Sequence, residues 1–189
     1  MKVTLKTGII FALIWIIFKL SYHLILPNTT ELTVSIFVNM FLLLSAISFG
    51  LYFHKKKEGT TEGNALSDIK AAMTSGVPYA VIISIFMYFY YNNINPEFIE
   101  KIRKPKIENL KKELSSEKYI AKLKRLNPEL ETKTKAEIYQ AGLSNVNAQI
   151  NPKSTAILAI LGMIFLSTVY SILITVIFRK ILFRQALKN

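Results

Sequence analysis

Four long apolar blocks divide this chain, and its charged residues lie almost entirely between them. The blocks are residues 8–26 (GIIFALIWIIFKLSYHLIL), 32–53 (LTVSIFVNMFLLLSAISFGLYF), 71–91 (AAMTSGVPYAVIISIFMYFYY) and 155–178 (TAILAILGMIFLSTVYSILITVIF). Each is long enough to cross a hydrocarbon core of about 30 Å. None alternates polar and apolar positions, so strands of a membrane barrel are excluded. Lipid offers no water to the backbone, and each block is therefore expected to be a helix. The pattern predicts an all-α integral membrane four-helix bundle. The first block follows Lys2 and Lys6 but lacks a small-x-small cleavage site, and Lys19 and His23 interrupt its end. It reads as a retained span, not a signal peptide.

Charge then orients the spans. The net charge is +12 with 51% hydrophobic residues. Lys2 and Lys6 precede span one, Lys55, Lys56, Lys57 and Lys70 separate spans two and three, and Arg179, Lys180, Arg184 and Lys188 follow span four. The PNTTE link between spans one and two has no basic residue. Basic short segments stay on the cytoplasmic side, so both termini are expected there. The third connection is also basic, but it is about 60 residues long, the length at which loop charge ceases to decide topology. The chain thus divides into spans one to three (1–91), an extracytoplasmic helical segment (92–153), and span four with a basic tail (154–189).

That third connection has order written into it. Glu97–Lys101, Glu100–Lys104, Glu108–Lys112 and Glu131–Lys135 are acid-before-base pairs at helical spacing. Ile107, Leu110 and Leu114 form one apolar stripe, and Tyr119, Ile120, Leu123 and Leu126 form another. Asn95-Pro96 starts a helix, and Thr134 with Glu137 matches a capping box. Breaks are expected at Pro105, Ser115-Ser116 and Asn127-Pro128, with Gly142 ending the last helix. The result is short amphipathic helices outside the membrane. They are either a solvated hairpin without a partner or a surface for a protein or anionic partner, through residues 96–150.

Chemistry is scarce. No P-loop, H-E-x-x-H or G-x-S-x-G is present, and the absence of cysteine excludes disulfides and thiolate metal sites. His23 and His54 are expected on opposite sides of the membrane and so cannot form a joint metal site, and no Asp or Glu lies within the four apolar blocks. No enzyme activity, cofactor, metal site or nucleic-acid binding is expected. One intramembrane layer stands out: Lys19, Asn39 and Ser84 each lie seven residues from an outer span end, about 10 Å deep. Lys19 either snorkels to the headgroups or lines a polar site with Asn39 and Ser84. Ser167, Ser171 and Thr175 form a stripe at spacing four, Ala46/Gly50 and Ala72/Gly76 are small-xxx-small pairs for close packing, and Pro78 interrupts span three.

The basic loop LYFHKKKEGTTEGNALSDIKAAMTSGVPYA, the INPEF exit from span three and the closing YSILITVIFRKILF resemble small four-span bacterial membrane proteins of Bacteroidota type, grouped as a domain of unknown function, family 4199. The resemblance implies an inner-membrane protein whose long connection faces the periplasm, and it carries no activity, cofactor or catalytic residue. Two functions follow as expectations. The first is a non-enzymatic binding or scaffolding component acting through its extracytoplasmic helices. The alternative is a transporter or channel subunit, working as a homo-oligomer, with the Lys19/Asn39 layer in its path.

Overall fold

A computed structural model of the protein describes residues 2–26, 32–59 and 64–182. The PNTTE link, Glu62, Arg184 and Lys188 lie outside the described residues. The chain is 91% helical, with no strand among the described residues. Its contacts form two compact units: Met1–Phe86 with Ile157–Asn189, and Met87–Ala156.

The first unit is a bundle of α1 (Val3–Ile25), α2 (Leu32–Glu58), α3 (Ala65–Phe89) and, further along the chain, a helix that starts at Pro152 and ends at Ile177. These helices have 23 to 27 residues. At about 1.5 Å per residue each exceeds a bilayer core of about 30 Å. Four helices are long and apolar enough to cross a membrane. The faces they turn away from one another are apolar as well. Ile17 is 65% exposed, Phe37 66% and Phe165 72%. A water-soluble helix carries charge on that face, whereas lipid tolerates only such side chains. The four-span bundle is that of an integral membrane protein.

All four helices run beyond the apolar blocks. Asn64 accepts a hydrogen bond from the Ser67 amide (2.8 Å) and so caps α3 six residues before the apolar block begins. Lys55, Lys56 and Lys57 extend α2 in its last turn, where cations complement the helix dipole. Polar ends and apolar middle are one helix each.

Small residues let these helices converge. Ser75 Oγ donates to the Thr4 carbonyl at 2.8 Å, joining α3 to α1. A Cβ added to Gly8 would overlap the Ser75 carbonyl, and one added to Gly50 would overlap Ser75 Oγ. A Cβ on Gly76 would strike Ser167 Oγ. Three helices of the bundle thus meet the Ser75-Gly76 dipeptide of α3 at near-backbone distance. In lipid, where no hydrophobic effect drives helices together, such close approach supplies much of the association energy. Ala46 and Ala72, the partners of Gly50 and Gly76 in the small-xxx-small pairs, are fully buried.

The second unit starts with a π-helical turn at Tyr90–Ile94, followed by α4 (Pro96–Glu113), α5 (Glu117–Leu126), a 3-10 turn at Pro128–Leu130, and α6 (Lys135–Gln149). The fourth span is therefore α7 (Pro152–Ile177), and a second π-helical turn, Phe178–Leu182, continues it. Breaks fall at Ser115-Ser116 and Asn127-Pro128, as the sequence predicts. Two expected boundaries are corrected. Pro105 sits inside α4, exposed, so the Lys101 carbonyl it deprives of a donor can bond water. Gly142 does not end α6. It lies in the middle of that helix, where a Cβ would come within 2.9 Å of Leu110 of α4. The glycine is there for packing, together with buried Ile99, Leu114 and Ile138. Tyr90 and Tyr91 are buried, and Tyr91 stacks on Phe98 with centroids 4.9 Å apart.

Two outcomes test this architecture. Gly8→Ala should destabilise the detergent-solubilised protein by about 1–3 kcal/mol, because the backbone carbonyl it strikes cannot move aside. Gly162→Ala, where nothing lies within 4 Å, should stay within about 0.5 kcal/mol in the same thermal unfolding assay. The capping box at α6 gives a pH signature. The Thr134 amide and hydroxyl bond Glu137 at 2.7 and 2.8 Å and hold its carboxyl below the ordinary 4.5. Its stabilisation is thus fully present above that value and declines as pH falls through the lowered folded-state value. Glu137→Gln should flatten the acid-side loss of helicity measured by circular dichroism below pH 4.5.

Candidate functional site

The strongest polar constellation in the bundle is one that the apolar pattern does not announce. Asp68 falls in the first turn of α3, where a negative charge is favoured by the helix N-terminus. Lys55 falls in the last turn of α2, where a positive charge is favoured. The α2–α3 hairpin brings these two ends together, with Lys55 Nζ 2.7 Å from Asp68 Oδ1. Arg179, in the π-helical turn after α7, closes the other side, its Nε donating to Asp68 Oδ2 at 2.7 Å. The side chains of Lys55 and Asp68 are 2% and 1% exposed, and that of Arg179 is 34% exposed. π-helical turns often mark functional positions, because the extra residue re-aims the side chains that follow.

Beside this triad a cavity of about 420 Å³ opens at the same end of the bundle. The start of α1 lends it Lys2 and Thr4, the end of α2 His54, Lys57 and Glu58, and α3 Lys70. His54 Nε2 and Glu58 Oε2 are 3.0 Å apart and occupy one another. Lys2, Lys57 and Lys70 have no carboxylate partner among the described residues. Asp68, the nearest acid in sequence to Lys70, is already taken by Lys55 and Arg179. The cavity is therefore a basic one. Among the described residues no group of three or more His, Cys, Asp or Glu is placed to hold a metal.

The intramembrane layer read from the sequence is placed as follows. Lys19 is 8% exposed and continues the buried stripe of α1 that runs through Gly8, Ala12 and Trp15. Asn39 accepts from the Tyr79 hydroxyl at 2.6 Å and donates to Met163 Sδ at 3.5 Å, tying α2 to α3 and α7. Ser84 is 4% exposed, and its hydroxyl has no hydrogen-bond partner among the described residues. The hydroxyls of Ser167, Ser171 and Thr175 share that condition. With Met163 before them and Arg179 after, they fall at every fourth position along α7, a file between the Asn39 contact and the Asp68 triad.

The triad escaped the sequence pattern because the third apolar block starts only after Asp68. A signal was present: Asn64 as a cap, with an acid in the turn that follows, marks a helix start. Extending the helix back to that cap puts Asp68 on the same stripe as Ala72, Ser75 and Tyr79.

The sequence profile of DUF4199, described as a protein of unknown function, matches residues 6–180. The chain belongs to the DUF4199 family. No curated protein and no solved structure matches this DUF4199 member. The matched region takes in spans two and three whole, nearly all of spans one and four, and Lys55, Asp68 and Arg179.

The triad makes a direct prediction. Asp68→Asn leaves Lys55 as a buried cation without its counter-charge and should cost about 3–5 kcal/mol. In the double variant Lys55→Met/Asp68→Asn the loss should be clearly smaller than the sum of the two single losses. Denaturation of the three variants and the parent in one detergent measures the difference, and additive losses would rule out the coupling.

Proposed function

We propose that this DUF4199 protein is a non-enzymatic binding component of a bacterial inner membrane, with both termini cytoplasmic and the 87–156 unit on the outer side. The orientation rests on ten basic residues flanking the termini and the 55–70 segment, against none in PNTTE. Binding through the second unit rests on one observation, the state of α5. No residue of α5 is buried, although Tyr119, Ile120, Leu123 and Leu126 form an apolar stripe and Leu126 is 70% exposed. Lys118, Lys122 and Arg125 form a basic stripe beside it. The nearby Glu113 carboxylate of α4 raises the Tyr119 pKa. A ten-residue helix is marginal on its own in water. A surface with apolar ground and negative charge complements both stripes at once.

The second reading, a transporter subunit, draws on the burial of Lys19, which is 8% exposed. Under it, Lys19→Leu removes the activity and charge reversal on α5 does not. The binding reading is tested on the full chain in lipid nanodiscs by amide hydrogen exchange. The amides of α5 should exchange faster than those of α4 and α6, and an acidic partner surface should protect them. Vesicles containing phosphatidylglycerol serve as the first such surface, with acidic membrane-protein partners recovered by cross-linking as the second. Protection should vanish in Lys118→Glu/Lys122→Glu/Arg125→Glu and at about 1 M salt, where screening shortens to about 3 Å. Slow exchange of α5 without any addition would show a self-sufficient hairpin and end this reading.

A further inference from the structure

The cavity between the ends of α1, α2 and α3 belongs to the bundle unit and plays no part in binding through α5. We propose that it is a site for a phosphate oxyanion, the group shared by an anionic lipid headgroup and a free phosphate. Three lines of chemistry converge on it. First, Lys2, Lys57 and Lys70 come from three different helices to one cavity, and none has a carboxylate partner among the described residues. All three are solvent-exposed, so their ammonium groups stay hydrated around the cavity and are available to an anion that enters it. The described acids nearby are engaged elsewhere: Glu58 faces His54 at 3.0 Å and Asp68 is held by Lys55 and Arg179.

Second, the cavity includes the first turn of α1, which is left open. Its N-cap residue is Lys2, no side chain caps it, and its first turn holds no acid. The amides there keep their hydrogen-bonding capacity, and the positive end of the helix adds to the field of the lysines. The first turn of α3, by contrast, is closed by the bond from the Ser67 amide to Asn64. Third, the volume suits a headgroup. About 420 Å³ lies within the range of roughly 300–1,000 Å³ typical of small-ligand sites. Buried Thr4 forms part of the wall. The Lys55–Asp68–Arg179 triad locks α2 and α3 next to this wall, so the site is held by the fold and not assembled by the ligand.

The test uses the full chain in nanodiscs. In phosphatidylcholine nanodiscs doped with phosphatidylglycerol, native mass spectrometry should show the anionic lipid retained over the neutral one. In pure phosphatidylcholine nanodiscs, inorganic phosphate is titrated and followed by phosphorus NMR. Retention of phosphatidylglycerol with no response to phosphate assigns the site to a headgroup, and a response to phosphate assigns it to a free anion. Either supports the proposal if Lys57→Gln/Lys70→Gln weakens that binding by about tenfold per lysine. Lys101→Gln/Lys111→Gln, which removes the same charge from α4, should leave it unchanged. Unaltered circular dichroism, with the single variants Lys57→Gln and Lys70→Gln giving intermediate loss, separates lost binding from lost folding. Binding of neither probe, or equal binding by both double variants, overturns the proposal.

Discussion

The bundle depends on how closely three helices can approach the Ser75-Gly76 dipeptide of α3. In water such an assembly would gain from removing apolar surface, but lipid is as apolar as the residues it would bury. Attraction must then come from contact itself, and contact at this range requires that nothing project from the backbone. Gly8, Gly50 and Gly76 meet that condition on α1, α2 and α3, and Ser167 fills the remaining space from α7. The hydrogen bond from Ser75 to the Thr4 carbonyl adds direction to a contact that would otherwise be only shape. Once α1, α2 and α3 are fixed at this level, the positions of their ends follow. The cavity, the triad and the orientation of Lys19 inherit their geometry from that single crossing.

The spans were legible because lipid imposes one strong rule, that uninterrupted apolar length means helix. The same rule hid the polar work at the helix ends. Asp68 looks like a loop residue when only apolar runs are counted, and its burial becomes visible only when Asn64 is taken as a cap. In the second unit, capping and turn signals at Thr134-Glu137, Ser115-Ser116 and Asn127-Pro128 were read correctly because each is decided by neighbours in sequence. Pro105 and Gly142 were misread for the opposite reason. Whether a proline breaks a helix depends on whether the freed carbonyl can reach water, and whether a glycine ends one depends on what stands opposite. Here Leu110 stands opposite Gly142, a fact of tertiary structure alone.

Among the described residues, the hydroxyls of α7 set a contrast with this economy. Ser167, Ser171 and Thr175 are buried without hydrogen-bond partners, whereas Asp68 at the end of their file has two cations. A buried hydroxyl left unbonded costs roughly 1–3 kcal/mol, a cost set against the close packing these small side chains permit. Small side chains are the reason both can coexist: serine at the crossing is tolerated for its size, and its polarity is the cost of fitting beside Gly76.

The triad also imposes an order on biogenesis. Asp68 and Lys55 flank one hairpin and can pair as soon as α2 and α3 have entered the membrane together. Arg179 lies 111 residues beyond Asp68 in the chain. At about 5–20 residues per second, the ribosome delivers it roughly 5–20 s later. During that interval Lys55 alone neutralises the carboxylate, and the second unit is synthesised before the fourth span arrives with the Arg179 donor for Asp68 Oδ2. Arrival of α7 is thus the step that completes the hydrogen bonding of a hairpin made long before it, and a chain stopped short of Arg179 would carry a neutral Lys55–Asp68 pair with one carboxylate oxygen lacking its donor.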